Sequence, residues 1–300
     1  MRSLKILQYN VQTSKDKVMA PLLADPRTHE FDIIAIQEPW KNPHIETTYC
    51  PARSPFYLLY PTEGRARSCF LINKKLDITS WEPGPLTPDL CSLQIRTENG
   101  SKLWIHNTYS QPPCSYSTTE YNTPIPTFSE LLSEPGKHIL LRDFNLHHPW
   151  WCGPRNPATH RAADQLIDTL QTHDMQLALP NGSVTWEARG SASTIDLVFI
   201  TRALQNRIIE CQVREDLEQG SDHYPIASEF GLNPIYTTPT PQRNWKKMDH
   251  GEIATQAQSL NLPLLNSVEA IEQYTSYLLT FITNIIEKIP FKKRSKEATP

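Results

Sequence analysis

Short apolar runs rich in Ile, Leu, Val and Phe recur along the chain, and each is bounded by Pro, Asn, Asp or Gly. Runs of this length between turn residues are typical of buried strands. The predicted strands are Leu4–Tyr9, Asp32–Gln37, Cys69–Ile72, Leu103–Tyr109, His138–Leu141, Ile195–Ile200 and Ile226–Phe230. Apolar residues at helical spacing predict helices at Lys15–Leu23, Pro126–Leu132 and Arg161–His173. This alternation predicts the α/β class, as a sandwich of two packed sheets flanked by helices.

The pattern changes near Phe230. Residues 232–248 are rich in Pro and Thr and lack apolar periodicity, which is typical of a linker. We therefore expect a main domain at 1–231, a linker at 232–248, and a helical extension at 249–300 that ends in a basic tail. The extension cannot bury its apolar face alone, so we expect it to pack on the main domain or on a segment outside this chain. The basic tail is either solvated or a contact for nucleic acid or nuclear import.

Composition narrows the class of protein. The 300 residues are 20% charged and 38% apolar with a net charge of -3, which argues against a disordered chain, a collagen or a broadly basic DNA-coating protein. Any nucleic acid must therefore be bound through a local patch. No apolar run approaches the ~20 residues that span a bilayer, and no signal-peptide core is present, so we expect a soluble intracellular protein. The six cysteines are scattered without metal-binding spacing, and we expect reduced, structural thiols.

Polar residues stand at the ends of several predicted strands. One such residue is unremarkable, because Asn and Asp commonly cap and turn chains. Hydrolysis of a phosphodiester, however, requires oxygen ligands for a hard cation, a base that activates water, and groups that stabilise the charged phosphorus centre. The sequence offers that set in Asn10, Glu38, Asp143 with Asn145, Asp196, and Asp222 with His223.

The same residues lie in segments that resemble a known family. LQYNVQTS, IIAIQEPW, IHNTYSQPP, LLRDFNLHHPWW, STIDLVF and SDHYPI resemble the motifs of the endonuclease/exonuclease/phosphatase superfamily in order and spacing. More narrowly, they look like the apurinic-type endonuclease domain of non-LTR (LINE-type) retrotransposon polyproteins, over about residues 4–230. The resemblance implies a four-layer, deoxyribonuclease-I-like α/β sandwich. It also implies a Mg²⁺-dependent endonuclease, with Mn²⁺ as a substitute, that nicks DNA and leaves a 3′-hydroxyl to prime reverse transcription.

The resemblance assigns roles to the metal and water side of the site. Glu38 is similar to the principal metal-binding carboxylate, with Asn10 assisting and Asp222 near the metal. Asp143 matches the residue that positions or deprotonates the attacking water, and Asn145 matches the amide that holds the phosphate. The alternative interpretations are a surface carboxylate for Glu38 and an Asx turn at Asp143.

On the other side of the site, His223 would stabilise or protonate the scissile phosphate, and Asp196 would fix its tautomer. Tyr109 matches a phosphate-facing tyrosine, with a core aromatic as its alternative. Three further residues are candidates for substrate contact. Trp40 and Trp151 would stack on DNA or pack in the protein, and Arg189 would meet the DNA backbone or solvent.

Arg142 departs from the family, which usually has Gly before the aspartate at this position. A long cation here either pairs with Asp143, lowering its basicity and blocking the metal, or points away and leaves the chemistry intact. This departure keeps open an inactive or weakly active remnant that still binds nucleic acid. A lipid or inositol phosphatase of the same fold is the other alternative.

The resemblance also implies partners. We expect double-stranded DNA as the target, and the element's RNA and reverse transcriptase as possible partners in a longer polyprotein. We expect no membrane partner, a monomer, and a nuclear location when the protein acts on chromosomal DNA. No polymerase motif follows Arg243.

Overall fold

The computed structural model describes residues 2–62, 64–110, 125–153, 161–237, 243–258, 260 and 263–291. The strands are β1 Leu4–Asn10, β2 Ile33–Gln37, β3 Phe56–Leu59, β4 Ser68–Asn73, β5 Trp81–Thr87, β6 Leu90–Arg96, β7 Lys102–Tyr109, β8 Lys137–Asp143, β9 Met175–Leu177, β10 Trp186–Ala188, β11 Ser191–Ser193, β12 Asp196–Thr201, β13 Ile208–Val213 and β14 Ile226–Phe230. The α-helices are α1 Ala20–Ala24, α2 Ile125–Leu132, α3 Pro149–Cys152, α4 Arg161–Thr172, α5 His250–Gln258 and α6 Val268–Lys288. A π-helical turn at Lys15–Met19 precedes α1, and short 3₁₀ turns lie at Pro26–Glu30, Ile78–Ser80, Arg202–Arg207, Glu215–Leu217 and Trp245–Lys247.

Two six-stranded mixed sheets form the body of the protein. The first has the order β13-β14-β1-β2-β4-β3, and the second has the order β5-β6-β7-β8-β12-β9. Each sheet contains one parallel pair, β1 with β2 in the first and β7 with β8 in the second. The runs in β1, β2 and β8 are almost continuously buried, because each of these strands has packed layers on both of its faces.

Side chains alternate between the two faces of each strand, and both faces are covered. The inner faces of the two sheets meet in one apolar core to which β1, β2, β4, β6, β7, β8 and β12 all contribute. The outer face of the first sheet packs on Val18, Met19 and Leu22. The outer face of the second sheet packs on α2 and α4 through residues such as Phe128 and Leu166. The predicted α/β sandwich of two sheets flanked by helices is confirmed.

Several strands were not predicted from the sequence. β5 contains two prolines and a glycine and is mostly exposed, so it lacks a buried apolar run. Buried and exposed residues alternate only weakly along β13. The strands β10 and β11 form a hairpin, have three residues each and are little buried. The helix predicted at Lys15–Leu23 is a π-helical turn followed by α1.

The contacts divide the chain into two units, Met1–Thr237 and Thr238–Pro300. The first unit extends past residue 231, because Leu232 is buried and the Thr237 N–H donates to the Lys75 carbonyl over 2.8 Å. The Tyr236 hydroxyl also donates to the carbonyl of Ser3, over 3.0 Å. The start of the segment predicted as a linker therefore belongs to the first unit.

The second unit contains α5 and α6. The Arg243 guanidinium donates to the carbonyls of Glu287 and Ile289 and stacks on the Phe291 ring, 4.1 Å from its centroid. Lys288 pairs with Glu252 over 2.6 Å. The predicted basic tail beyond Phe291 lies outside the described residues. Within the described part of the chain, no helix is long and apolar enough to cross a bilayer.

Candidate active site

Three predicted site residues lie side by side at one edge of the second sheet. Tyr109 on β7 is the register partner of Asp143 on the parallel strand β8, and Asp143 is the partner of Asp196 on the antiparallel strand β12. Register partners project from the same face of a sheet. Each of the three continues its strand's inward-facing series, so the polar edge is the end of the apolar core.

The first sheet supplies two further residues to the same place. Asn10 ends β1, and its amide nitrogen donates to Asp143 Oδ2 over 2.9 Å and to Glu38 Oε1 over 3.5 Å. Glu38 follows β2 in a left-handed backbone conformation, with a φ of 46°. Non-glycine residues adopt this conformation rarely, and such strain is concentrated at functional sites. The sandwich thus closes at this edge through an amide held between two carboxylates.

A polar link inside the sandwich supports that closure. Gln37 donates through Nε2 to Asn107 Oδ1 over 2.6 Å, and the Asn107 amide donates to the carbonyls of Ile36 and Cys69 over 2.9 and 2.7 Å. All of these bonds are buried, so they are shielded from competing water. The link fixes the separation of the two sheets next to Glu38.

Asp143 lies at the centre of the cluster. It is 1% exposed, and Oδ1 accepts the backbone N–H of Asn145 over 3.1 Å. Burial raises the pKa of Asp143 to about 8, with a further contribution from Asp196 and opposing contributions from His223 and Asn10. Asn145 has a φ of 51°, and its side-chain amide donates to the carbonyl of Ser110 over 2.7 Å. Without a bound cation, the centre of the site therefore favours a proton on Asp143.

His223 is held opposite Asp143. Its Nδ1 lies 2.8 Å from Asp196 Oδ2, and its Nε2 lies 3.8 Å from Asp222 Oδ1. Burial lowers the pKa of His223, but Asp196, Asp143 and Asp222 outweigh burial and raise it to about 9. The structure therefore favours an imidazolium whose Nδ1–H donates to Asp196 and whose Nε2–H is available at the site.

Asp222 is oriented by the small hairpin. Trp186 on β10 donates through Nε1 to Asp222 Oδ2 over 3.0 Å, and the Glu187 N–H donates to the Asp222 carbonyl over 2.8 Å. An isolated antiparallel β-bridge between the backbones of Trp186 and His223 adds to this connection. The β10–β11 hairpin thus holds the segment that carries Asp222 and His223 in place.

Two residues that sequence reasoning missed support Glu38 and Tyr109. Arg67 and Asp89 form a two-pronged ion pair, and the Arg67 guanidinium lies 5.9 Å from the Tyr109 ring centroid. The Glu38 N–H donates to the Arg67 carbonyl over 2.8 Å, and the Tyr109 N–H donates to the Asp89 carbonyl over 3.0 Å. Burial and a hydrogen bond with Glu38 raise the pKa of Tyr109. No sequence pattern joins Arg67 to Asp89, because they lie 22 positions apart in separate turns.

The cluster contains oxygen atoms suited to a hard cation. Ligand atoms of Asp143, Asp196 and His223 lie within 4.8 Å of one another. Asp196 Oδ1 and Asp222 Oδ1 are buried and have no hydrogen-bond partner among the described residues. A buried carboxylate oxygen without a partner is costly, and a divalent cation would offset that cost. The residues present therefore fit a divalent cation.

Arg142 points away from this cluster. It is the neighbour of Asp143 on β8, so its side chain projects from the opposite, outer face of the sheet. The side chain is fully buried, and the guanidinium lies 4.8 Å from the Phe128 ring centroid and 4.6 Å from the Phe144 ring centroid. Of the two orientations that the sequence left open, the structure has the one that leaves Asp143 unobstructed.

The three candidate substrate contacts have different positions. Trp151 is fully buried and donates through Nε1 to the Leu146 carbonyl over 3.1 Å, so it packs in the core and has no exposed face for DNA. Trp40 is half-buried beside Glu38, and the Lys15 ammonium lies 5.1 Å from its ring centroid. Arg189 is exposed at the tip of the β10–β11 hairpin, with a φ of 51°.

Comparisons with known proteins agree with this architecture. Residues 103–227 match the family described as endonuclease-reverse transcriptase. The endonuclease domain of TRAS1, a telomere-specific non-LTR retrotransposon, is similar with a TM-score of 0.60 at 21% identity, covering 77% of this chain and 99% of that chain. No curated protein sequence matches significantly.

Two further solved structures share the fold. The AP endonuclease LMAP from Leishmania major has a TM-score of 0.57 at 14% identity, covering 76% of this chain and 88% of that chain. The catalytic domain of Xenopus laevis APE2 has a TM-score of 0.54 at 15% identity, with coverages of 79% and 94%. The chain therefore has the deoxyribonuclease-I-like fold of these proteins, and its residues 103–227 match the endonuclease-reverse transcriptase family.

Proposed function

We propose that this chain is a divalent-metal-dependent endonuclease that nicks double-stranded DNA. The observation that carries the proposal is the in-register edge of Tyr109, Asp143 and Asp196, joined to the other sheet through Asn10 and completed by His223. A buried carboxylate, an oriented imidazolium and oxygen atoms without partners are the groups that phosphodiester hydrolysis requires. The match to an endonuclease-reverse transcriptase family supports DNA as the substrate.

A divalent cation, Mg²⁺ or Mn²⁺, would be held by carboxylate oxygens of Glu38, Asp196 and Asp222. The buried Oδ1 atoms of Asp196 and Asp222, which have no hydrogen-bond partner among the described residues, support this assignment. Such a cation would supply positive charge that offsets the charge on the scissile phosphate. Asn10, which we predicted as an auxiliary ligand, donates its amide N–H groups to Asp143 and Glu38, and its Oδ1 accepts the Gln12 N–H over 2.9 Å. Its main contribution would thus be to hold the two carboxylates in place.

The side chains of the protein would then carry out the proton transfers. Asp143 accepts the proton of the attacking water, a task suited to a carboxylate whose pKa burial raises toward neutrality. The hydrogen bonds that Asn10 and Asn145 donate to Asp143 orient its carboxylate. His223, whose Nδ1–H donates to Asp196, presents Nε2–H to the charge that develops on the phosphate. Tyr109 would contact the same phosphate through its hydroxyl.

We further propose that the reaction takes place during retrotransposition. The nick would leave a 3′-hydroxyl that primes reverse transcription, with the element's RNA and reverse transcriptase as partners in a longer polyprotein and the nucleus as the location. The likeness to a retrotransposon endonuclease domain supports this setting. Arg189, exposed at the hairpin tip, would meet the DNA backbone there.

Plasmid nicking tests the proposed chemistry. Purified protein with Mg²⁺ or Mn²⁺ should convert supercoiled plasmid to open circles, and EDTA should stop the reaction. Asp143→Asn should lower the rate about 10²- to 10⁴-fold, as expected for loss of a general base. Asp174→Asn is the matched control, because Asp174 is 61% exposed and pairs only with Arg202 among the described residues.

Circular dichroism and thermal melting should show that both variants are folded. Folded wild-type protein that leaves plasmid intact with either cation would refute the proposal, as would equal nicking by Asp143→Asn and Asp174→Asn.

A further inference from the structure

A cavity of about 420 Å³ lies beside the turn that carries Glu38 and has no part in the mechanism described above. Its lining includes Lys41, Asn42, Tyr60 and Arg65. Lys41 is three positions past Glu38 and within electrostatic reach of it. The cavity is therefore a neighbour of the site on the Glu38 side.

Positive charge is concentrated around this cavity. Burial lowers the pKa of Lys41, and the nearby cations Arg65 and Arg67 lower it further, against an opposing effect of Glu38 and Asp89. Arg67 is already held by Asp89. Among the residues that the structure describes, neither Lys41 nor Arg65 has a carboxylate within ion-pair distance. A half-buried ammonium that lies near two guanidinium groups and has no ion-paired carboxylate is stabilised when a further anion joins it.

The wall of the cavity is fixed before any ligand binds. The Asn42 N–H donates to the Thr47 carbonyl over 3.0 Å, and Asn42 Oδ1 accepts the His44 N–H over 2.9 Å. The turn therefore has its own hydrogen bonds, and Lys41 is attached to a preformed support. Preorganisation of this kind lowers the entropic cost of binding.

The donors at the cavity suit a phosphodiester. Arg65 offers a planar fork that pairs with two phosphate oxygens, and Lys41 offers a compact ammonium. The half-buried Tyr60 adds a hydroxyl, since its pKa is raised by burial and it stays protonated. Glu46, which also lines the cavity, makes a dianionic phosphate less suitable than the monoanionic diester of a nucleic-acid backbone.

We propose that this cavity is a second phosphate subsite, in which Lys41 and Arg65 bind a backbone phosphate of the DNA strand on the Glu38 side of the scissile phosphate. The inference rests on the proposed function, because it takes DNA as the substrate. It adds a binding contact that positions the strand without taking part in the chemistry.

Binding to a labelled DNA duplex, measured by fluorescence anisotropy in EDTA, tests the subsite without cleavage. Lys41→Gln and Arg65→Gln should each raise the Kd about tenfold or more, as expected for loss of one charge-assisted hydrogen bond. Each should also reduce the salt dependence by about one released counterion. Lys41→Arg should retain most of the affinity. Lys102→Gln is the control, because Lys102 is exposed at the opposite end of β7 from Tyr109.

Replacing single backbone phosphates by neutral methylphosphonates identifies the contact. At one backbone position, the neutral linkage should weaken DNA binding by the wild type but leave the DNA affinity of Lys41→Gln unchanged. The reason is that this variant already lacks the ammonium that contacts that phosphate. In nicking assays, Lys41→Gln should raise KM and preserve kcat.

Wild-type binding without nicking would remove the proposed function and leave the subsite supported if the Lys41→Gln effect persists. The subsite is overturned if Lys41→Gln and Arg65→Gln bind DNA as Lys102→Gln does, or if the wild type does not bind the duplex. It is also overturned if Lys41→Gln abolishes the binding of inorganic phosphate to the cavity but leaves the affinity for the DNA duplex unchanged.

Discussion

Replacing Arg142 by glycine tests whether the departure at this position weakens the site. Glycine is the residue that the resembling family carries before its aspartate. If Arg142 obstructed Asp143, Arg142→Gly would raise the nicking rate. Because the side chain is on the outer face of β8 between Phe128 and Phe144, we expect the opposite: a loss of stability and no gain in activity.

The size of that loss follows from the contacts. The buried aliphatic stem contributes about 0.8 kcal/mol per methylene. Two ring contacts add about 0.5 to 1 kcal/mol each, and glycine within a strand costs about 0.5 to 1 kcal/mol more. Removing the buried guanidinium also removes the cost of its desolvation, which offsets part of the lost stability. We therefore expect Arg142→Gly to lower the free energy of unfolding by about 3 kcal/mol, which corresponds to a Tm lowered by about 10 °C for a domain of this size.

Guanidinium chloride denaturation measures the loss, and plasmid nicking well below the lower Tm measures the activity. Arg142→Met retains much of the aliphatic stem without the charge, so it should lose less stability than Arg142→Gly. An Arg142→Gly protein that is as stable as the wild type and nicks tenfold faster would show that the reasoning from strand alternation is wrong.

Three further predictions concern single groups. Tyr109→Phe removes the hydroxyl bonded to Glu38 and should lower kcat about tenfold in single-turnover nicking with an unchanged Tm; an unchanged kcat would contradict this. Asp196→Asn should lower the pKa of His223 from about 9, as followed by NMR titration. Since that pKa is raised from 6.5, the stability it contributes is present below pH 6.5 and lost as pH rises to about 9, and Asp196→Asn should lose less over this interval. Burial lowers the pKa of His106 from 6.5 to about 3, and the nearby His138 adds to this effect. The stability that the neutral His106 contributes is therefore present above pH 6.5 and lost as pH falls towards 3. The urea midpoints at pH 7 and pH 4 should lie closer together in His106→Gln than in the wild type, and an undiminished difference would refute this.

The strands that build the site were predictable because they are buried on both faces. β1, β2, β7, β8, β12 and β14 appear in the sequence as apolar runs, and polar residues follow them at one edge. The pairing of Asp196 with His223 was expected from the resemblance, and the two residues lie 2.8 Å apart. Local pattern and motif therefore sufficed where a run was long and its end was polar.

Features set by tertiary contact were not predictable. The Arg67–Asp89 pair joins two turns, and the Gln37–Asn107 link depends on how the two sheets face each other. Trp151 lies in the short helix α3, two positions after Pro149, and its neighbours in sequence give no indication that its ring is fully buried. In each case the deciding partner is distant in sequence, so neither composition nor periodicity identifies it.

Strand alternation explains both the site and the fate of Arg142. Along β8, Ile139 and Leu141 face the inner core, so Asp143 is the next inward position, at the edge where the core ends. Leu140 faces the outer core, and Arg142 continues that outer series. One residue of offset thus separates a position that meets the reacting groups from one that meets α2. A substitution at an outward position changes packing first, and it reaches the chemistry only if the strand shifts. For this reason the identity of residue 142 bears on the stability of the sandwich, whereas the proposed catalysis depends on the inward series of Asn10, Tyr109, Asp143 and Asp196.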